Sequence, residues 1–192
     1  MSVGSFPAYG AGLESPDEGP QELTGREIGM ITRSFQCHLA TVTPSGWPYV
    51  QYRSGPHGFL HHLGGSRIGF PDFRGNRQFV SAGNIDDDAR VSLFLADYPR
   101  KQRLKLFGRA SVIEAHDDEA LMSRLRWVAD GEIASPSERA VVIEVEAFDW
   151  NCSRSLVPQY TAEQVRERVQ PYIDQIGDLQ REIEKLKGQL LQ

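Results

Sequence analysis

Six consecutive residues, Phe73-Arg74-Gly75-Asn76-Arg77-Gln78, hold the densest polar chemistry in the chain. They set two guanidinium groups and two side-chain amides around one glycine. Guanidinium forks match the oxygens of a phosphate or carboxylate, and glycine lets backbone N–H groups come close to an anion. A helix opening at such a loop adds partial positive charge at its N-terminus. The stretch reads as an anion site, with a solvated basic loop as the plain alternative. A second group, Gln51, Arg53 and Ser54, ends a strand beside the turn Gly55-Pro56. There Arg53 shares a strand face with Gln51 and Tyr49. A third is Arg103 with Lys105, on the face opposite Leu104 and Leu106. Water-facing polar sides of barrel strands would account for either group alone. The fourth is Trp150-Asn151-Cys152-Ser153-Arg154. Its indole could stack on a planar ligand or cap the core, and Arg154 could meet an anion.

Other chemistries fit poorly. There is no G-x-S-x-G nucleophile elbow and no H-E-x-x-H zinc motif. His61 and His62 are adjacent, as are Cys37 and His38, so on strands each pair points to opposite faces. Cys37 reads as a buried strand residue. The run Asp86-Asp87-Asp88 lacks the spaced ligands and glycine of a calcium loop and reads as a charged turn. Two cysteines cannot build a disulfide framework or a four-cysteine zinc site.

The elements that must carry these groups are short and mostly extended. Thr24 and Glu27 form a T-x-x-E capping box ahead of Ile28, Ile31 and Phe35, which predicts a helix over 24–34. Period-two patterns predict strands at 36–43, 47–54, 90–96, 102–113 and 140–148, with shorter apolar runs at 59–63 and 67–70 between Gly/Pro turns. Residues 74–82 read as a polar loop opening a short helix, and 117–130 as another helix. Short strands with few helices imply a mainly β domain, an antiparallel barrel or sandwich.

Composition bounds the rest. The chain has 192 residues, 21 Lys+Arg against 26 Asp+Glu, and a net charge of −5. At about 150 residues per domain this is one domain with an extension. The negative balance argues against nucleic-acid binding, and no apolar run nears the ~20 residues of a membrane span. With a Gly/Pro-rich, acidic start unlike a signal peptide, the expected compartment is the cytoplasm. Residues 1–23 read as a flexible arm, disordered or lying across a partner subunit, 24–160 as the β domain and 161–192 as a C-terminal amphipathic helix. In that helix Val169, Tyr172, Ile176, Leu179, Ile183, Leu186 and Leu190 step alternately by three and four, the heptad spacing. The stripe could pack on its own barrel or pair with a second subunit.

The ordered set of segments from about 24 to 160 resembles the pyridoxamine 5′-phosphate oxidase-like family, the FMN-binding split barrels. The segments that carry it are Leu39-Ala40-Thr41-Val42 with Trp47-Pro48-Tyr49-Val50-Gln51-Tyr52-Arg53, then Phe73 to Gln78, then Arg90 to Leu95, then Leu104 to Ala110. The resemblance implies a six-stranded antiparallel split β-barrel that dimerises, with FMN between the subunits. It assigns the flavin to Gln51, Tyr52 and Arg53. It assigns the phosphate to Asn76, Arg77 and Gln78 with Arg74 adjacent, and a further polar contact to the neighbourhood of Arg103. Ser54, beside Arg53, and Trp150, by its stacking surface, complete the candidate cofactor-binding residues. The chain departs from the vitamin B6 oxidase at Gln51, Gln78 and Arg103, where that enzyme carries arginine, lysine and glutamine. It also lacks the oxidase's C-terminal substrate motif.

The resulting expectation is a homodimeric, FMN-dependent oxidoreductase of a flavoprotein branch other than the B6 enzyme. A small-molecule redox substrate or a nicotinamide would exchange electrons with the flavin. The alternative cofactors are FAD, a deazaflavin or haem, the last liganded by one of His38, His57, His61, His62 and His116. The alternative roles are a deazaflavin-dependent reductase, a flavin or haem carrier or redox sensor, and an interaction protein recruiting a partner through the C-terminal helix.

Overall fold

A computed structural model describes residues 21–73, 79–151, 154 and 156–190. The chain divides into two compact units. The first ends at Asp97 and resumes at Lys101 through the last strand. The second takes Tyr98–Arg100 and the chain from Leu156 onward.

The first unit is built on one antiparallel sheet. Helix α1 (Gly25–Arg33) precedes strands β1 (Gln36–Val42), β2 (Pro48–Ser54), β3 (His61–Gly64) and β4 (Arg67–Phe73). Helix α2 (Val80–Asp87) leads to β5 (Arg90–Asp97) and β6 (Gln102–Glu114), and α3 (Glu119–Arg126) to β7 (Trp127–Val128), β8 (Gly131–Glu132) and β9 (Ser137–Asn151). Seven strands join in the order β2-β1-β5-β6-β9-β4-β3, and β7 and β8 form a separate hairpin. Among the described residues the edge strands β2 and β3 do not pair with each other, so the sheet is not closed. The count also differs from the expected six, because the short hairpin of β3 with β4 adds an edge strand.

Alternation builds the core. Cys37 and Leu39 of β1, Val91, Leu93 and Leu95 of β5, and Leu104, Leu106 and Ala110 of β6 all face inward. Strand β9 is hydrogen-bonded on both sides, to β4 and β6, and buries the continuous run Ala140–Ile143. The pairing of β6 with β9 shifts by one residue between Phe107 and Gly108. At that bulge a Cβ on Gly108 would lie 2.1 Å from the Glu144 carbonyl oxygen. Only glycine lets the two backbones approach so closely.

The Thr24–Glu27 capping box forms as expected. The Glu27 carboxylate also accepts the Trp150 indole N–H at 2.6 Å, which ties α1 to the end of β9. Burial pushes the Glu27 carboxyl up. Hydrogen bonds from Thr24, Trp150 and backbone amides outweigh burial and hold it below its ordinary value. Two boundaries differ from the sequence reading. Residues 21–23 are anchored rather than loose: Gln21 N–H bonds the Glu146 carbonyl, Gln21 Oε1 accepts from Phe148 N–H, and Leu23 is buried. Helix α3 stops at Arg126, and the chain turns through Gly131, at φ 110°, into the β7–β8 hairpin.

Two outcomes are expected. Gly108→Ala must displace the backbone of β9 and should cost about 1–3 kcal/mol in denaturant unfolding. Glu27→Ala leaves the indole N–H unpaired and should cost about 1–3 kcal/mol at neutral pH. Because the folded pKa is lowered, Glu27's contribution is present above the unfolded value of 4.5 and lost as pH falls through the folded one. Unfolding curves taken well below the ordinary carboxylate range should therefore bring variant and wild type together.

Candidate functional site

Strand β2 splits its polar residues between two faces. Tyr49, Gln51 and Arg53 are half-buried, while Val50, Tyr52 and Ser54 are exposed. The inner-face residues reach two different elements. The Ser81 hydroxyl, buried in the first turn of α2, donates to Gln51 Oε1 at 2.6 Å. Arg53 Nη1 donates to Asp72 Oδ1 at 2.5 Å, an ion pair mostly withdrawn from solvent. Asp72 lies in β4, just before residues 74–78, and Ser81 lies just after them. One face of β2 thus holds the chain on both sides of residues 74–78. Arg74, Asn76, Arg77 and Gln78 themselves lie outside the described residues.

A third contact seats α2 on the same part of the sheet. Asn84 Nδ2 donates to the Thr41 hydroxyl at 2.8 Å, with both side chains buried. The N-terminus of α2 has no side-chain cap among the described residues. Phe79, its N-cap, makes no side-chain cap bond and sits at φ 49°, and the first turn holds no acid. Among the described residues no side chain caps the leading N–H groups of this helix, the arrangement an anion site uses. Arg53 adds a donor. Its Nε is buried and has no hydrogen-bond partner among the described residues, and Asp72 balances the guanidinium charge. That cation lies close enough to Cys37 to act on its thiol. Burial nevertheless dominates and pushes Cys37 up to about 12.

The remaining expected residues are spread out. Tyr52 turns away from Gln51 and Arg53, donates its hydroxyl to Gln36 Oε1 at 3.0 Å, and meets His38 edge-on. Ser54 is exposed at the end of β2. Arg103 lies on β6, three strands from β2 in the sheet order, paired with Ala96 and Asn151. Its neighbour Lys105 meets the buried Asp149 at 3.3 Å. Trp150 packs against the core with its N–H on Glu27, and the Arg26 guanidinium lies 4.0 Å from its ring centre. Those are the contacts of a core-capping tryptophan. The histidines do not converge: His57 donates to the Arg33 carbonyl, His62 to that of Gly65, and His38 sits between Tyr52 and Phe94.

Sequence reading did not single out an open pocket of about 270 Å³ beside α2, where Phe79, Gly83 and Asp86 face Val112 and Glu114 of β6 and Arg139 of β9. Arg139 bonds Glu114 and lies 4.2 Å from the Phe79 ring centre. These residues come from distant segments, and no local motif marks them. Chemically, the site offers amide and guanidinium donors next to an uncapped helix. It suits an anionic ligand that accepts hydrogen bonds.

The pyridoxamine 5′-phosphate oxidase model matches residues 29–152. No curated protein matches the chain. Solved structures share its fold at low identity. HupZ from Group A Streptococcus is 15% identical, with 72% of this chain and 100% of that one covered at a TM-score of 0.52. A candidate pyridoxamine 5′-phosphate oxidase from Lactobacillus delbrueckii is 22% identical, with 67% and 93% covered at 0.51. A conserved hypothetical protein from Mycobacterium tuberculosis is 20% identical, with 73% and 92% covered at 0.52. With the family model spanning every strand of the sheet, the chain belongs to the pyridoxamine 5′-phosphate oxidase family.

Proposed function

We propose that the chain is an FMN-binding oxidoreductase working as a homodimer on a small redox substrate. Family membership supports a flavin-type redox protein. The observation that carries the reading is the grip of β2 on both flanks of residues 74–78, through Arg53–Asp72 and Gln51–Ser81. That grip would aim a basic loop and the uncapped end of α2 at one phosphate. In this reading Arg77, with Arg74, Asn76 and Gln78, binds the phosphate by charge-assisted hydrogen bonds. Gln51 and the Nε of Arg53 orient the polar edge of the ring. Arg53, neutralised by Asp72, serves mainly as a directional donor. FMN, when bound, supplies the hydride chemistry. The protein's part is to hold the ring and keep its polar edge hydrogen-bonded.

The dimer is proposed from the edge of the sheet. Strand β2 ends the sheet and exposes Val50 and Tyr52, with Trp47 just ahead of it at 73% exposure. An edge left unpaired among the described residues and carrying large apolar side chains is a surface that a second subunit would cover.

Protein mixed with FMN and desalted should carry flavin absorption at one FMN per chain. A Soret band would instead point to haem, and a colourless protein that retains no FMN would overturn the reading. Arg77→Ala should weaken FMN binding by roughly 1.5–3 kcal/mol, one to two orders of magnitude in Kd. Fluorescence titration of FMN measures this, and an unchanged Kd would remove Arg77 from the site.

A further inference from the structure

The C-terminal helix α4 (Ala162–Leu190) lies outside the residues that match the family model and has no buried residue. Its apolar stripe, from Val165 to Leu190, is between 43% and 85% exposed. A soluble helix rarely keeps so long an apolar stripe in water. The stripe fits one heptad frame. Val169, Ile176, Ile183 and Leu190 occupy position a, and Tyr172, Leu179 and Leu186 occupy position d. Outer positions b, c and f carry Asp174, Asp178, Arg181, Glu184 and Lys185, partly joined by pairs within the helix. Gly177 and Gly188 also fall at outer positions, where they lower helix propensity without opening the seam. Pro171 lies at c and precedes the regular part of the stripe.

We infer that residues 172–190 pair with the same segment of a second copy of this chain, as a parallel, in-register, two-stranded coiled coil. Side-chain shape selects two strands. β-branched residues at a with leucine at d favour the parallel dimer over trimers and tetramers, and here Ile176 and Ile183 alternate with Leu179 and Leu186. Charge selects direction. In a parallel pair Glu182 at g faces Lys187 at e of the next heptad on the neighbour, an attraction made twice by symmetry. An antiparallel pair of residues 172–190 would instead bring Glu182 at g against Glu182 of the neighbour, two like charges. The other facing positions, Gln175 and Gln180, are neutral and oppose neither arrangement. The stripe is also narrow. Among the e and g positions only Ile173 is apolar, whereas a helix lying on a globular core usually shows a wider apolar face. The inference does not depend on the cofactor.

Single cysteines in the full-length chain, with Cys152→Ser as background, test it under mild oxidation by oxidised glutathione. In the parallel arrangement the two copies of residue 186 face each other across the seam at disulfide range. Leu186→Cys should therefore yield a covalent dimer on a non-reducing gel, while Lys185→Cys, at outer position c, should stay monomeric. No covalent dimer from Leu186→Cys, or equal linking at both positions, would overturn the proposal. So would a trimer or tetramer of the chain in sedimentation without the oxidant. Both positions are exposed in α4, so neither variant threatens the fold of the sheet. FMN retention measured on the same samples reports separately on the cofactor reading.

Discussion

The sheet depends on how closely two backbones can approach. Strands β6 and β9 are the longest in the molecule, and their pairing joins β2-β1-β5 on one side to β4-β3 on the other. Midway along it the register slips at Gly108, where a side chain would overlap the Glu144 carbonyl. The bulge bends both strands and increases their local twist. The extra residue is Glu146 of β9, which has no register partner on β6. On β6 the alternation runs through unbroken, so Leu104, Leu106 and Ala110 keep one face on the core.

The elements legible in the sequence were those written in local patterns. Thr24 and Glu27 mark α1 because a capping box is closed within one turn. The alternation of Val91, Leu93 and Leu95 marks β5 for the same reason. The helix expected over 117–130 ran too far because Asp130-Gly131 is a turn signal whose strength depends on the two-residue strands beside it. Among candidate site residues, the shared face of Gln51 and Arg53 followed from strand geometry alone. Their partners did not. Asp72 and Ser81 are 19 and 30 residues away in sequence, and no periodicity links them to β2. Trp150 shows the same limit, since Glu27, its hydrogen-bond partner, lies 123 residues earlier.

The site region is also a lesson in where charge goes. Arg53 and Lys105 are both shielded, and both meet carboxylates, Asp72 and Asp149. Pairing spares the protein the cost of an isolated buried cation. It also removes net charge from those positions while leaving directional N–H donors. Among the described residues, positive potential near β2 therefore rests on the dipole of α2, and less on the strand itself.

Cys37 completes the picture from the inner face of the sheet. A thiol held at about 12 is ionised in only about one molecule in 10⁵ at neutral pH. Thiolate, not thiol, is the form that attacks disulfides, alkylating reagents and peroxides. The sulfur on β1 thus stands off the oxidation ladder. It contributes volume, as a small apolar side chain would, and electrons passing nearby would find no sulfur relay there.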